Sequence, residues 1–366
     1  MRRFIECLLP ITACNLHCSY CYVIQGNRRT NEKAIFQYSP EHIGKALSPE
    51  RLGGISLISI TGSGETFIPK ELPIITYEIL KQGHFVNITT NGTLSSKIQQ
   101  LLTITEGYHN HLHISFSFHY VELKKKRLLK TFFDNIKMVR NAGCSYLLQI
   151  NLSDEYLEYW EEIKEISLKN CGAYPQVALT RKEKNNTFEI HSHLPTKEYI
   201  KIGKEMHSPL FDFTYKNFMV KRNEYCYAGY WSGKLNLSTG ILTGCYGNGI
   251  QQNIFKDLNK EIQWCPIGKH CNFQYCFNSS HFISQGIIPE LEPLPSYGEL
   301  RNRENAHWYT AEMKSFLYQK FQDTNPLLNN KQKKYYNFKY IIYQYARISS
   351  WKQLIKKNLK RVFSHS

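Results

Sequence analysis

Three cysteines stand within a single short run, Cys14-Asn15-Leu16-His17-Cys18-Ser19-Tyr20-Cys21. Thiolates at this spacing, on a loop leaving a strand, can wrap three irons of a four-iron cluster. A fully ligated four-iron cluster uses four cysteines, so three leave one iron open to a substrate or cofactor. The competing reading is zinc held by the three thiolates and His17. Structural zinc sites favour paired Cys arms far apart in sequence, and four ligands in one tight loop make a poor tetrahedron. A second field follows at Cys226, Cys245, Cys265, Cys271 and Cys276, while Cys7, Cys144 and Cys171 stand alone. Thiols stay reduced in a cytoplasmic chain, and such clustering argues for two metal sites rather than a disulfide framework.

These ligands need elements to hold them. Short apolar runs alternate with helix-like stretches over residues 4–180, with strands expected at 4–11, 55–60, 85–89, 113–118, 146–151 and 176–180. Ser39-Pro40-Glu41 is a helix start, with a capping Ser and Pro at the first helical position. A helix over 70–81 stops at Gly83, and another follows Ser95. A helix over 128–141 ends at Gly143, a residue suited to a left-handed C-cap, and one opened by Ser153-Asp154-Glu155 runs toward Gly172. Strands alternating with helices predict a parallel sheet, because parallel neighbours need a crossover. Six units are too few for a closed eight-stranded barrel. The expected fold is therefore α/β, an open or partial (β/α)6 TIM-like barrel with its site at the C-terminal strand ends.

The CxxxCxxC spacing, with aromatic Tyr20 before the last cysteine, resembles the signature of the radical S-adenosylmethionine (radical SAM) superfamily. The resemblance runs in order through the following strands. Thr61-Gly62-Ser63-Gly64-Glu65 stands where the family carries its glycine–glutamate motif. By that resemblance Gly64 and Glu65 meet the methionine amino group, the glycine allowing close backbone approach. Thr90-Asn91-Gly92 follows the third strand as in many relatives, Ser117 matches a fourth-strand residue facing the ribose, and Asn151 is a match of the same kind. The resemblance implies a [4Fe-4S] cluster on Cys14, Cys18 and Cys21, S-adenosylmethionine as cofactor, and an external electron donor such as flavodoxin or ferredoxin. It implies cleavage of the cofactor to a 5′-deoxyadenosyl radical, which takes a hydrogen atom from the substrate.

Cys226, Gly240 and Cys245 form a Cys-x₁₃-Gly-x₄-Cys spacing, followed by Gly247-Asn248-Gly249. This resembles the opening of the auxiliary-cluster extension, SPASM or its shorter twitch form, found behind many radical SAM cores. Five cysteines cannot fully ligate two four-iron clusters, so one auxiliary iron–sulfur cluster is expected. Cys226 and Cys245 are its firmest ligands, and two of Cys265, Cys271 and Cys276 complete it; the spacing does not choose which two. A structural zinc knuckle is the alternative. The expected organisation is a core at 1–180, a connecting segment at 181–221, a Cys-rich SPASM/twitch-like domain at 222–283, and a linker with a basic helical tail at 284–366.

The formal net charge of +16 is uneven, since ten Lys or Arg and no Asp or Glu lie from Lys331 onward. Mixed with Tyr, Phe, Ile and Trp, this tail suits an anionic membrane surface. The other reading is a helix packed on the core with its lysines outward. No recognised nucleic-acid module accompanies the charge. The N-terminus lacks a signal-peptide pattern, so the expected location is cytoplasmic, with peripheral contact at the inner membrane surface if the tail binds lipid. His109, His111, His113, His191 and His193 read as solvated loop residues. Two substrate classes stand open: a peptide or protein that is oxidised or cross-linked, and a carbohydrate or other small metabolite. A zinc-binding scaffold without catalysis is the third reading.

Overall fold

Six of the apolar runs become six parallel strands in sequential order: β1 (Phe4–Leu9), β2 (Leu57–Gly62), β3 (Phe85–Thr90), β4 (Leu112–Ser117), β5 (Ser145–Leu152) and β6 (Gln176–Leu179). The computed structural model describes residues 1–184, 187–246, 249–273 and 275–363. The strands are nearly all buried, as expected where helices cover a parallel sheet. The crossovers match the sequence closely. Ser39 caps the helix Pro40–Ala46 by accepting from His42 N, and the helix Leu129–Asn141 gives way to Gly143 at φ 83°. Past β6 a hairpin of β7 (Arg181–Lys184) and β8 (Thr187–Ile190) stands as a separate two-stranded sheet.

Two regions take places in the fold that the sequence pattern does not announce. The cysteine-rich region does not begin a sheet of its own. β9 (Ser232–Asn236) pairs in parallel with β1, and β10 (Ile241–Thr243) and β11 (Gln252–Asn253) extend the same sheet antiparallel, giving the order β11-β10-β9-β1-β2-β3-β4-β5-β6. Pairing between strands so far apart in sequence leaves no local pattern. The proline-rich stretch 286–297, expected as a linker, and the residues after it to 328 pack onto the core through Tyr297, Leu300, Trp308, Met313, Leu317 and Phe321. They pack against strand beginnings. Phe316 stacks on Phe85 at 3.9 Å, Trp308 meets Tyr146 at 5.4 Å, and Tyr297 meets Phe4 at 6.3 Å. This segment plugs the N-terminal end of the barrel and leaves the opposite end free for chemistry.

The barrel is open between β6 and β9. The short helix Ser279–Phe282 spans part of that opening, with Phe282 edge-on to Phe4 and the helix resting on Pro209–Asn217, which covers β6.

His84 shows how one buried group couples this architecture to pH. Its Nδ1 accepts from Ser56 N at 3.0 Å and its Nε2–H donates to Leu47 O at 2.5 Å, joining β2 to the preceding helix. The bond from Ser56 N needs the neutral ring, whereas the bond to Leu47 O is kept by either form. Burial pushes its pKa down to about 4, against smaller upward pulls from Leu47 and Glu50. The unfolded ring takes a proton near pH 6.5, so the stabilisation is complete above that value and is lost as pH falls toward 4. By pH 5 the loss is about 2 kcal/mol. Thermal melts between about pH 7.5 and 5 should show His84→Asn losing roughly one proton's worth of acid dependence relative to the parent. Identical slopes would exclude this role.

Candidate active site

The cluster loop leaves β1 and lies over the C-terminal ends of β2 to β5. A chamber of about 240 Å³ opens there, lined by Cys14, Cys18, Cys21 and Tyr20 from the loop. Its other walls come from strand ends: Gly62 to Thr66 after β2, Thr90 and Asn91 after β3, Ser117 and His119 after β4, and Asn151 on β5. Every core residue singled out in the sequence is therefore in one place.

The loop is held by bonds that reach across the fold. Arg29 donates to the carbonyls of Leu16 (3.0 Å) and Cys14. Glu122 accepts from His17 N at 2.8 Å, and Glu155 from Ser19 Oγ at 2.7 Å. Asn91 donates to Asn15 Oδ1 at 2.8 Å, and Asn15 donates in turn to Thr93 Oγ1 at 2.8 Å. The Tyr20 hydroxyl bonds His119 Nδ1 at 2.6 Å and Tyr156 at 2.8 Å. Cys18 is the most deeply placed of the three thiols; burial first, and then Cys14 and Cys21, push its pKa far up. Ligation must therefore drive off its proton.

Glu65 is only 2% exposed. Its carboxylate accepts from Phe67 N (2.9 Å), Thr90 Oγ1 (2.7 Å) and Asn91 N (2.8 Å), tying the β2 loop to the end of β3. Burial raises its pKa, offset by those donors. A carboxylate offers about four acceptor positions, so one remains for an ammonium in the chamber. Gly64 lines the chamber and also makes a close contact within the protein. A Cβ there would lie 2.1 Å from Ala13 O, so the close approach it permits is to the cluster loop itself.

A second chamber of about 210 Å³ shares Tyr20, Tyr22 and Asn151 with the first and runs to Cys276, Asn278 and His281 beside the barrel opening. Asn278 donates to Glu6 Oε1 at 3.0 Å, which turns its carbonyl oxygen toward His281 Nδ1 at 2.7 Å. The imidazole must donate there, leaving Nε2 with its lone pair. Burial, then Arg301 and Arg181, hold His281 well below the usual histidine range, and burial lifts Glu6 to about 7. The ring therefore stays neutral, with the Nε2 lone pair free to accept a hydrogen bond.

The second cysteine field divides. Cys226, Cys245, Cys271 and Cys276 lie within electrostatic reach of one another, each of the first two sensing both Cys271 and Cys276. Cys265 points elsewhere, its Sγ 3.7 Å from Pro266 O and 3.8 Å from Tyr336 O. Gly240 turns the β9–β10 hairpin at φ 76°, where a Cβ would strike Phe255. Gly247 and Asn248 lie outside the described residues.

A family model described as the Radical SAM superfamily matches residues 8–166. Residues 8–166 are thus similar to a radical SAM domain. Among solved structures, Streptococcus suis SuiB bound to S-adenosylmethionine aligns at TM-score 0.50 and 15% identity, covering 70% of this chain and 64% of that one. The chain thus spans less than two thirds of SuiB's length. SuiB bound to precursor peptide SuiA aligns at TM-score 0.49 and 16% identity, covering 70% and 63%. Native anSMEcpe with bound AdoMet aligns at TM-score 0.47 and 12% identity, covering 95% and 98%. At such identities the likeness to SuiB is one of fold. The comparison with curated proteins finds no match.

The three thiols, the strand-end polar groups and the chamber between them fit a four-iron cluster with its cofactor, since such a cluster takes one thiolate per iron. Among the described residues no three His, Cys, Asp or Glu side chains gather around one point as a single ion requires. Of the residues that line the chamber, the sequence reading missed Arg29 and His119. The Arg28-Arg29 pair shortly after the last cysteine was the available signal for the first. His113 was misjudged: it is buried on β4, with Nδ1 2.6 Å from Asn87 Oδ1. His109 and His111 are not simply solvated either, one bridging the carbonyls of Leu102 and Ala142 and the other stacked on Phe85.

Proposed function

We propose that the chain is an iron–sulfur enzyme that uses S-adenosylmethionine to abstract a hydrogen atom from a peptide or protein, oxidising or cross-linking it. The observation that carries this reading is the chamber that joins Cys14, Cys18 and Cys21 to Glu65, Asn91, Ser117 and Asn151. A four-iron cluster held by Cys14, Cys18 and Cys21 would, given an electron from a donor such as flavodoxin or ferredoxin, supply the reductive cleavage of S-adenosylmethionine that makes hydrogen-atom abstraction possible. The protein supplies position and shelter. Glu65 accepts from the methionine ammonium, Ser117 and Asn151 face the ribose, and Tyr20 closes the wall toward the substrate chamber.

The substrate side chain enters the second chamber, where the neutral His281 ring can accept a hydrogen bond from it. The wall shared by the two chambers supports this route. Cys226, Cys245, Cys271 and Cys276 would hold an auxiliary cluster at the far end, which would supply an electron acceptor for the substrate or a hold on it. The polar lining of Thr180, Asn217, Ser279, Ser280 and His281 favours a second reading, in which a carbohydrate or other small polar metabolite occupies the chamber. Turnover to 5′-deoxyadenosine above the basal rate, with peptides against sugars as probes, separates the two.

Oxygen-free reconstitution should load about eight irons per chain if both four-iron clusters form. Cys271→Ser and Cys276→Ser should each reduce this to about four, and Cys265→Ser should leave about eight. Loss of iron in Cys265→Ser, with Cys271→Ser unaffected, would overturn the ligand set.

A further inference from the structure

The C-terminal helix Asn330–Phe363 is docked by its polar-tipped aromatic residues and turns its apolar side outward. On the inner face Tyr340 is buried and accepts from Gly249 N at 3.2 Å, Tyr343 accepts from Gln251 N at 2.9 Å, and Tyr336 packs against Tyr230. On the other face Tyr335, Phe338, Ile342 and Tyr345 are 60%, 65%, 51% and 73% exposed, and Ile341 beside them is 40% exposed. Steps of three and four residues place these side chains on one stripe. Elsewhere among the described residues, large exposed apolar side chains are scattered along the chain, which is ordinary for a protein surface. Here five fall within residues 335–345.

This inverts the usual amphipathic plan, in which the outer face is polar. The charge around the stripe identifies what covers it. Lys331 and Lys334 fall on the stripe's side by the same helical count, and ten Lys or Arg with no Asp or Glu lie from Lys331 to the end of the chain. A second copy would bring the same cations against this face and be repelled. Aromatic and branched apolar side chains flanked by Lys331 and Lys334 match an anionic lipid interface, where rings sit at headgroup depth and ammonium groups meet phosphates. Among the described residues no helix is long and apolar enough to cross a membrane.

We propose that the outward face of this helix, centred on Phe338 and Ile342, is a peripheral docking surface for anionic phospholipid. The docking is independent of the radical chemistry and survives the failure of that reading.

The test is co-sedimentation of the full chain with vesicles of phosphatidylcholine alone or mixed with phosphatidylglycerol. The parent should bind the mixed vesicles, weakly or not at all the neutral ones, and less as salt rises. Phe338→Glu/Ile342→Glu alters exposed positions only and should retain the parent's melting temperature while binding about tenfold more weakly or worse. Lys331→Gln/Lys334→Gln should weaken binding through the loss of anionic-lipid preference. Equal binding of neutral and anionic vesicles, no binding, or an unchanged double-glutamate variant would overturn the proposal. So would a doubled mass in light scattering that Phe338→Glu/Ile342→Glu abolishes, because a second copy would then be the occupant.

Discussion

Cys18→Ala protein, reconstituted without oxygen, is expected to keep about four of about eight irons and to form no 5′-deoxyadenosine with dithionite and S-adenosylmethionine. The reasoning is geometric. Cys18 sits in the middle of the loop, and its carbonyl accepts from Cys21 N at 3.1 Å, so the turn that sets the third ligand passes through it. An alanine there adopts the same backbone and leaves those bonds intact. What disappears is the central thiolate, the most buried of the three. Water cannot easily replace it, since the site is walled by Leu16, Tyr20 and the β2 loop. The remaining irons report on the second field, so a loss confined to one cluster separates local ligand removal from global misfolding. Cofactor cleavage persisting in this variant would remove the ligand assignment, and zinc in place of iron in the parent would remove the mechanism.

The first half of the chain was readable because its signals are local. Each strand from β1 to β6 is an apolar run bounded by a cap, a glycine or a charged turn, and such patterns depend on near neighbours. The strand after Gly53-Gly54 came out two residues later than expected, at Leu57–Gly62, because Ile55 is apolar yet stands exposed before the pairing begins. The later half fails for the opposite reason. β9 is short, contains Gly233 and becomes a strand only because β1 offers it a parallel edge. Residues 286–328 have three prolines near their start and little periodicity, yet single side chains such as Trp308 and Phe316 each fill a gap at a strand beginning. Nothing in their spacing encodes the gap.

The site divides along the same line. Ligand types and strand-end polar residues announce themselves by spacing, and the chamber gathers them. The residues that aim them do not. Glu122 reaches His17 and Arg29 reaches Cys14 through the fold, so only the three-dimensional arrangement shows that the cluster loop is pinned from two sides. The auxiliary field is the sharpest case. Spacing made Cys265, Cys271 and Cys276 equivalent, whereas packing of the C-terminal helix draws Cys265 toward Tyr336 and away from the other thiols.

Gly64→Ala should disable the site almost as completely as loss of a ligand, by a different route. The glycine precedes the Glu65 anchor, and both bond the cluster loop's entry: Gly64 N donates to Ile11 O at 2.7 Å and Glu65 N to Ala13 O at 2.9 Å. These bonds bring the two backbones so close that a Cβ at residue 64 would lie 2.1 Å from Ala13 O and 2.8 Å from Ala13 C. No side-chain rotation relieves a clash with backbone. One strand end must retreat, which breaks at least one of the two bonds, and overpacking of this kind costs about 1–3 kcal/mol. The retreat also carries Cys14, one residue beyond Ala13, away from Asn91. Expected together are a lowered melting temperature, incomplete loading of the first cluster, and loss of S-adenosylmethionine binding by calorimetry. Gly62→Ala makes a useful contrast, because the one contact of its Cβ under 3.0 Å is with a side-chain methyl, Ile11 Cγ2 at 2.7 Å, and not with backbone. If Gly64→Ala bound the cofactor as tightly as Gly62→Ala, the close backbone approach would not be what sets the loop.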